Sequence, residues 1–109
     1  MDVRYERQLK RGMLEIIVLK MISKEPTYGY QLLNEMDRQS DGLFKIKEGT
    51  LYPILKKLKD DLYVETYLVE GDGGPARKYY HLTEKGRNYQ GTLKLEWEDF
   101  VKAVGRLIN

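Results

Sequence analysis

The chain lacks cysteine altogether and has one histidine in 109 residues. Disulfides, thiolate nucleophiles and cysteine zinc sites are excluded together, and His81 has no partner histidine with which to build a convincing zinc centre. No catalytic triad or organised acid/base pair is visible, so an enzyme has no site to stand on, and neither metal nor cofactor is expected. Long apolar runs are missing too. The longest, Ile16-Ile17-Val18-Leu19, falls far short of the roughly 20 residues that span a bilayer, so no membrane partner is expected. The N-terminus carries Asp2 and Glu6 among its basic residues, with no apolar segment before Leu14. A signal peptide is therefore not expected, and the cytoplasm is the default compartment. A strong charge of one sign is also absent: 19 Lys and Arg against 17 Asp and Glu leave a net +2.

What is present fits one folded domain with a modest core: 41% hydrophobic and 33% charged residues are ordinary globular proportions. The distribution of charge is more telling than its sum. Residues 1–42 balance seven basic against seven acidic side chains, and residues 88–109 three against three. Residues 45–59 instead hold Lys45, Lys47, Lys56, Lys57 and Lys59 against Glu48 alone, a local +4. Such a patch is a candidate phosphate-contacting surface; a merely solvated helix face is the plain alternative.

Periodicity predicts the elements. Residues 5–23 read as a helix, and from Met13 to Ile22 only Glu15 and Lys20 interrupt the apolar residues, so other elements should wrap it on most sides. Glu25-Pro26 ends it. Thr27 is the expected cap of a second helix with Leu32, Leu33 and Met36 on one face, stopped at Asp41-Gly42. A third helix begins near Glu48 or Thr50 and runs to about Asp60, with Leu51, Ile54, Leu55 and Leu58 inward. Pro53 is tolerable there only if the first turn starts close by. The period then falls to two over Val64–Val69, and Gly71-Asp72-Gly73-Gly74-Pro75 signals a turn. With a second strand at Lys78–Leu82, residues 63–82 form a β-hairpin. Thr83 caps a final helix reaching nearly to Asn109.

Three helices followed by a hairpin is the winged helix-turn-helix order, in which the third helix enters the major groove and the hairpin tip, or wing, reaches toward backbone or minor groove. The basic cluster lies on that helix and Arg77-Lys78 at the wing's return, so charge and topology point to one DNA-facing surface. The expected class is thus α+β, mainly α, a winged helix-turn-helix over residues 1–82 with a long C-terminal dimerisation helix over residues 83–109.

Four blocks carry a closer likeness: Leu14-Glu15 through Ile22, Tyr28-Gly29-Tyr30-Gln31-Leu32, Glu48-Gly49-Thr50-Leu51-Tyr52-Pro53-Ile54-Leu55-Lys56-Lys57-Leu58, and Gly73-Gly74-Pro75-Ala76-Arg77-Lys78-Tyr79-Tyr80-His81-Leu82-Thr83-Glu84-Lys85-Gly86. Over about residues 9–88 the chain resembles the PadR family of bacterial transcriptional regulators, in its short subfamily with a single dimerisation helix. It departs from the family pattern twice. Leu62 stands where glycine usually follows the third helix, so that end is expected to be built differently. Lys47 stands in place of a serine or asparagine cap, which weakens the cap and adds charge.

The resemblance implies a recognition helix on which Lys47, Thr50, Tyr52 and Lys56 touch double-stranded DNA, with Lys57 beside them. In the wing, Gly73 and Gly74 permit close approach to a backbone, and Arg77 and Lys78 supply charge. The alternative for Arg77 is a cross-strand salt bridge to Glu70; for Tyr52 it is packing. Gly71 to Ala76 formally fits the G-x-G-x-x-A dinucleotide fingerprint, but its glycines join two strands rather than a strand and a helix, so no nucleotide is expected there.

On the last helix Leu93, Trp97, Phe100, Val104 and Leu107 recur at spacings of 4, 3, 4 and 3, widened by Val101 and Ile108. If residues 1–82 close their own core, this seam is left uncovered and calls for a second copy of the chain, a homodimer with two-fold symmetry. Two recognition helices about one DNA turn apart would then read an inverted repeat. The resemblance further implies that Trp97, paired across the dimer, stacks a small aromatic or phenolic effector, with Phe100 as a second wall and Glu96 or Asp99 beside a cationic one. The resulting expectation is a homodimeric repressor of transcription. The competing function, from another class, is a winged-helix adaptor without a specific DNA site, which would have no reason to gather lysines on one helix.

Overall fold

The structure is a computed structural model describing residues 11–71 and 73–109. Its elements are α1 (Arg11–Lys24), β1 (Thr27–Tyr28), α2 (Gly29–Gln39), α3 (Glu48–Asp60), β2 (Val64–Gly71), β3 (Gly74–Leu82) and α4 (Glu84–Ile108). The expected start of the first helix, residues 5–10, and Asp72 of the turn lie outside the described residues. In α1, Leu14, Val18, Leu19 and Ile22 are buried, with Ile17 and Met21 packed partly beside them. Leu32 and Met36 of α2 and Leu51, Ile54, Leu55 and Leu58 of α3 meet them, each at helical spacing. Val64, Tyr80 and Leu82 close the core from the sheet.

The sheet holds one strand that hydrophobic periodicity does not reveal. Thr27-Tyr28 pairs antiparallel with β3, Thr27 opposite Tyr80 and Tyr28 opposite Tyr79, giving the order β1-β3-β2. Two residues are too few to display a period. Thr27 consequently does not cap α2. It is buried, its hydroxyl donates to Gln31 Oε1 at 2.7 Å, and Tyr28 takes the cap position with no side-chain bond. β2 and β3 run in register from Val64 opposite Leu82 to Val69 opposite Arg77, with a bulge before Gly71 pairs with Gly74.

Two helix features correct the expectations. Pro53 lies in the second turn of α3, beyond the first-turn position expected, and the helix continues through it. The bond it cannot donate would have gone to the carbonyl of Gly49, an exposed residue that water can reach. The end of α3 is not rebuilt to suit Leu62. Tyr63 N–H donates to the Leu58 carbonyl at 2.9 Å and Leu62 N–H to Lys59 at 3.0 Å, the paired bonds of a Schellman end. Leu62 itself adopts the left-handed φ of 65° that glycine favours there.

The start of α4 is fastened to this end. Thr83 Oγ1 accepts the Gly86 amide at 3.0 Å and donates to the Leu62 carbonyl at 2.7 Å. A Cβ on Gly86 would stand 1.9 Å from the Tyr63 carbonyl oxygen, so only glycine fits. The Tyr89 ring stacks on Tyr63 at 4.0 Å, and Leu93 packs against the core. Tyr89 and Leu93 thus add to a core whose fully buried residues run from Leu14 to Leu82, and Leu93 is partly covered by its own chain rather than left wholly open as the spacing predicts. The rest of α4 runs past the core, stretching the molecule to 54 × 32 × 20 Å.

Candidate nucleic-acid interface

At 100° per residue, the side of α3 opposite its buried leucines runs from Lys59 and Tyr52 through Lys56 and Pro53 to Lys57 and Thr50. All six are exposed. Lys47 stands at the N-cap with an extended backbone and no side-chain cap bond; its carbonyl accepts the amides of Thr50 at 3.0 Å and Leu51 at 3.1 Å. Its ammonium is thus not engaged in capping.

The structure brings some of these residues together. Tyr52, Lys56, Lys59, Lys78 and Tyr80 line a cleft of about 620 Å³ between α3 and the wing. Next to it, Tyr52, Arg77 and Lys78 share a cleft of about 410 Å³ with Tyr28, Gly29 and Tyr30 at the start of α2. Thr50 and Lys57 lie at the far edge of the exposed half of α3, and Gly73 is at the wing tip with a left-handed φ of 73°. Charge is tempered on the helix: Lys56 Nζ pairs with Asp60 at 2.8 Å and Lys57 with Asp61 at 3.0 Å. The Asp60 hydrogen bond holds the Lys56 ammonium above its ordinary pKa, so Lys56 remains charged. Both pairs are exposed and one helical turn apart, the geometry that contributes least to stability, and a phosphate can displace the carboxylate.

Arg77 is oriented by Tyr28. Its Nη1 donates to the Tyr28 hydroxyl at 3.1 Å, and its guanidinium lies 4.6 Å from the centre of the Tyr28 ring. Among the described residues its bonded partner is therefore Tyr28 rather than Glu70. The Tyr28 ring meets Tyr79 at 5.2 Å, and Tyr79 stacks on Tyr67 at 5.7 Å, so an aromatic ladder crosses all three strands and ends under the arginine. Neither Tyr28 nor Gly29 stands out in the sequence by charge or period; a glycine at a helix start between two tyrosines is the one local signal.

His81 sits at the other end of this ladder, 3.5 Å from Glu65 through Nε2 and 5.6 Å from the Tyr67 ring, a surface contact. Among the described residues no group of three His, Asp or Glu could hold a metal ion, and no helix is long and apolar enough to cross a membrane.

A second surface lies along α4. Trp97 is half-buried and stacks on Phe100 at 5.9 Å. Phe100, Val101, Leu107 and Ile108 are exposed at 59%, 46%, 84% and 77%, with Val104 half-buried between them. Trp97 also walls a groove of about 380 Å³ with Ile16, Ile17, Met21 and Phe44. The polar wall of that groove includes Lys94 and Glu98, and neither Glu96 nor Asp99 reaches it. Asp99 stands two residues beyond Trp97, some 200° round the helix, which turns it away.

The same fold recurs in known proteins. A structure of a PadR-like transcriptional regulator from Bacillus cereus superposes with a TM-score of 0.81 at 33% identity, covering 94% of this chain and 97% of that one. An uncharacterised protein of Lysinibacillus sphaericus is 35% identical over 86% of each chain. The transcriptional regulator YqjI of Escherichia coli is 27% identical over 79% of this chain, which spans 40% of that regulator's length. The profile of the transcriptional regulator PadR-like family matches residues 18–101. The chain belongs to the PadR-like family, whose members are DNA-binding regulators of transcription and not enzymes.

Proposed function

We propose that this chain is a homodimeric repressor that binds an inverted-repeat operator and is released by a small aromatic or phenolic molecule. In this scheme residues 1–82 form the DNA-binding unit and residues 83–109 the dimerisation helix. The recognition helix α3 enters the major groove. Lys47, Thr50, Tyr52, Lys56 and Lys57 contact DNA from it, and Gly73, Arg77 and Lys78 from the wing. Phosphate contacts fix the register, and the side chains near the start of α3 reach base edges. The observation that carries the proposal is the meeting of Tyr52, Lys56, Arg77 and Lys78 in two adjoining clefts.

Dimerisation is supported by the exposed stripe Phe100, Val101, Leu107 and Ile108, which no element among the described residues buries. A second copy related by a two-fold axis covers like with like and spaces two recognition helices for a palindrome. An effector would stack on Trp97 and Phe100, whose rings lie 5.9 Å apart, with Glu96 or Asp99, which lie outside the Trp97 groove of the same chain, as the partner of a cationic one.

The experiment is a salt titration of DNA affinity. Lys56→Ala and Arg77→Ala should each weaken binding and flatten the slope of log K against log salt by roughly one. Unchanged affinity and slope in both variants contradict the proposed surface.

A further inference from the structure

Gly29 is buried at the junction of β1 and α2. A Cβ built on it would lie 2.6 Å from the Tyr52 hydroxyl and 2.9 Å from two Tyr52 ring carbons. Among the described residues the glycines with positive φ are Gly42 and Gly73, so the backbone at position 29 suits any residue. The requirement for glycine is one of space. Glycine in a helix is disfavoured against alanine by up to roughly 1 kcal/mol in an interior turn, so local propensity does not explain its presence.

We propose that Gly29 is a positioning residue for DNA recognition. Its bare Cα is the seat on which the Tyr52 phenol rests, and the seat holds that phenol at the mouth of the cleft shared with Arg77 and Lys78. Tyr52 has its hydroxyl against α2 yet remains 41% exposed, so one edge of the ring is fixed while the other faces the groove. A methyl at position 29 must push the phenol off its seat. The backbone of α2 cannot yield instead, because β1 immediately before it is tied to β3 through Thr27 and Tyr28. The proposal rests on Tyr52 touching DNA.

The test is a double-mutant cycle on affinity for a labelled mixed-sequence duplex at low salt, with thermal melting of each variant alongside. Tyr52→Ala should weaken binding about tenfold, the scale of a hydrogen bond to a charged group. Gly29→Ala should lose a comparable factor, and in the Tyr52→Ala background it should cost nothing further, since the methyl then has room. If Gly29→Ala alone does not fold, the double variant still decides: it should fold and bind as Tyr52→Ala does. Additive losses, or a double variant that binds more weakly than Tyr52→Ala, overturn the proposal. So does a folded Gly29→Ala protein with full affinity, while leaving Tyr52 as a contact. Full affinity in Tyr52→Ala removes both the contact and the proposal.

Discussion

Leu62 illustrates how a backbone pattern outranks the residue placed in it. The Schellman bonds at the end of α3 demand a left-handed residue, and the chain supplies leucine, 65% exposed, at φ 65°. A left-handed L-residue costs roughly 1–2 kcal/mol, and the greater freedom of glycine in the unfolded chain returns part of any gain. Leu62→Gly should therefore raise stability by about 1 kcal/mol in denaturant unfolding; a loss of stability would show that the leucine side chain contributes packing that offsets its strain. Tyr89 gives a pH-dependent counterpart. Burial first, and then the Glu15 carboxylate to which its hydroxyl donates at 3.2 Å, push the phenol from 10.0 up to about 12. A raised pKa favours the neutral form in the folded state. That contribution is complete below pH 10 and lost as pH rises through about 12. In an alkaline titration followed by phenolate absorbance, Tyr89→Phe should lack a component that ionises above the ordinary tyrosine range, and an unchanged profile contradicts the assignment.

At the scale of elements, α3 carries both its own charge and its own restraint. Lys56 and Lys57 lie one turn before Asp60 and Asp61, so part of the positive field is cancelled within the helix. Asp60→Asn should raise affinity for mixed-sequence DNA several-fold and steepen its salt dependence, because the amide no longer competes with phosphate for Lys56. Unaltered binding would place Lys56 away from the backbone. The helices, the hairpin and the Thr83 cap were legible in the sequence because each has a strong local signature of period, turn residues or capping side chain. The basic surface was legible because its lysines are close together along the chain. The strand β1, the Tyr28–Arg77 bond and the Gly29 seat were not, because each joins residues far apart in sequence and none follows a period. A heptad pattern likewise records which side is apolar, not how much of it the chain itself covers, as the partly buried Leu93 shows.

For the whole molecule, α4 links core to surface. Its first turns are locked to the end of α3, and its last turns carry the apolar stripe that a second copy would bury. Trp97 is the only tryptophan and lies between the two regions, so its intrinsic fluorescence would report the proposed association. Its emission should shift to longer wavelength on dilution through the dimer dissociation range. Leu107→Asp with Ile108→Asp should yield a folded monomer whose emission no longer depends on concentration. A double variant that sediments as a dimer contradicts the placement of the interface. Monomerisation should also lower DNA affinity steeply, since two half-site contacts linked in one body become independent events.

Selection from a pool of random duplexes, followed by anisotropy of the enriched sequence at two salt concentrations, decides whether this chain reads a specific operator. A dimeric operator reader should enrich an inverted repeat with half-sites about one helical turn apart, roughly 10 base pairs centre to centre, and bind it specifically with a steep salt slope. Enrichment of no sequence, with binding that is weak and lost at moderate salt, would contradict it and leave only a basic patch.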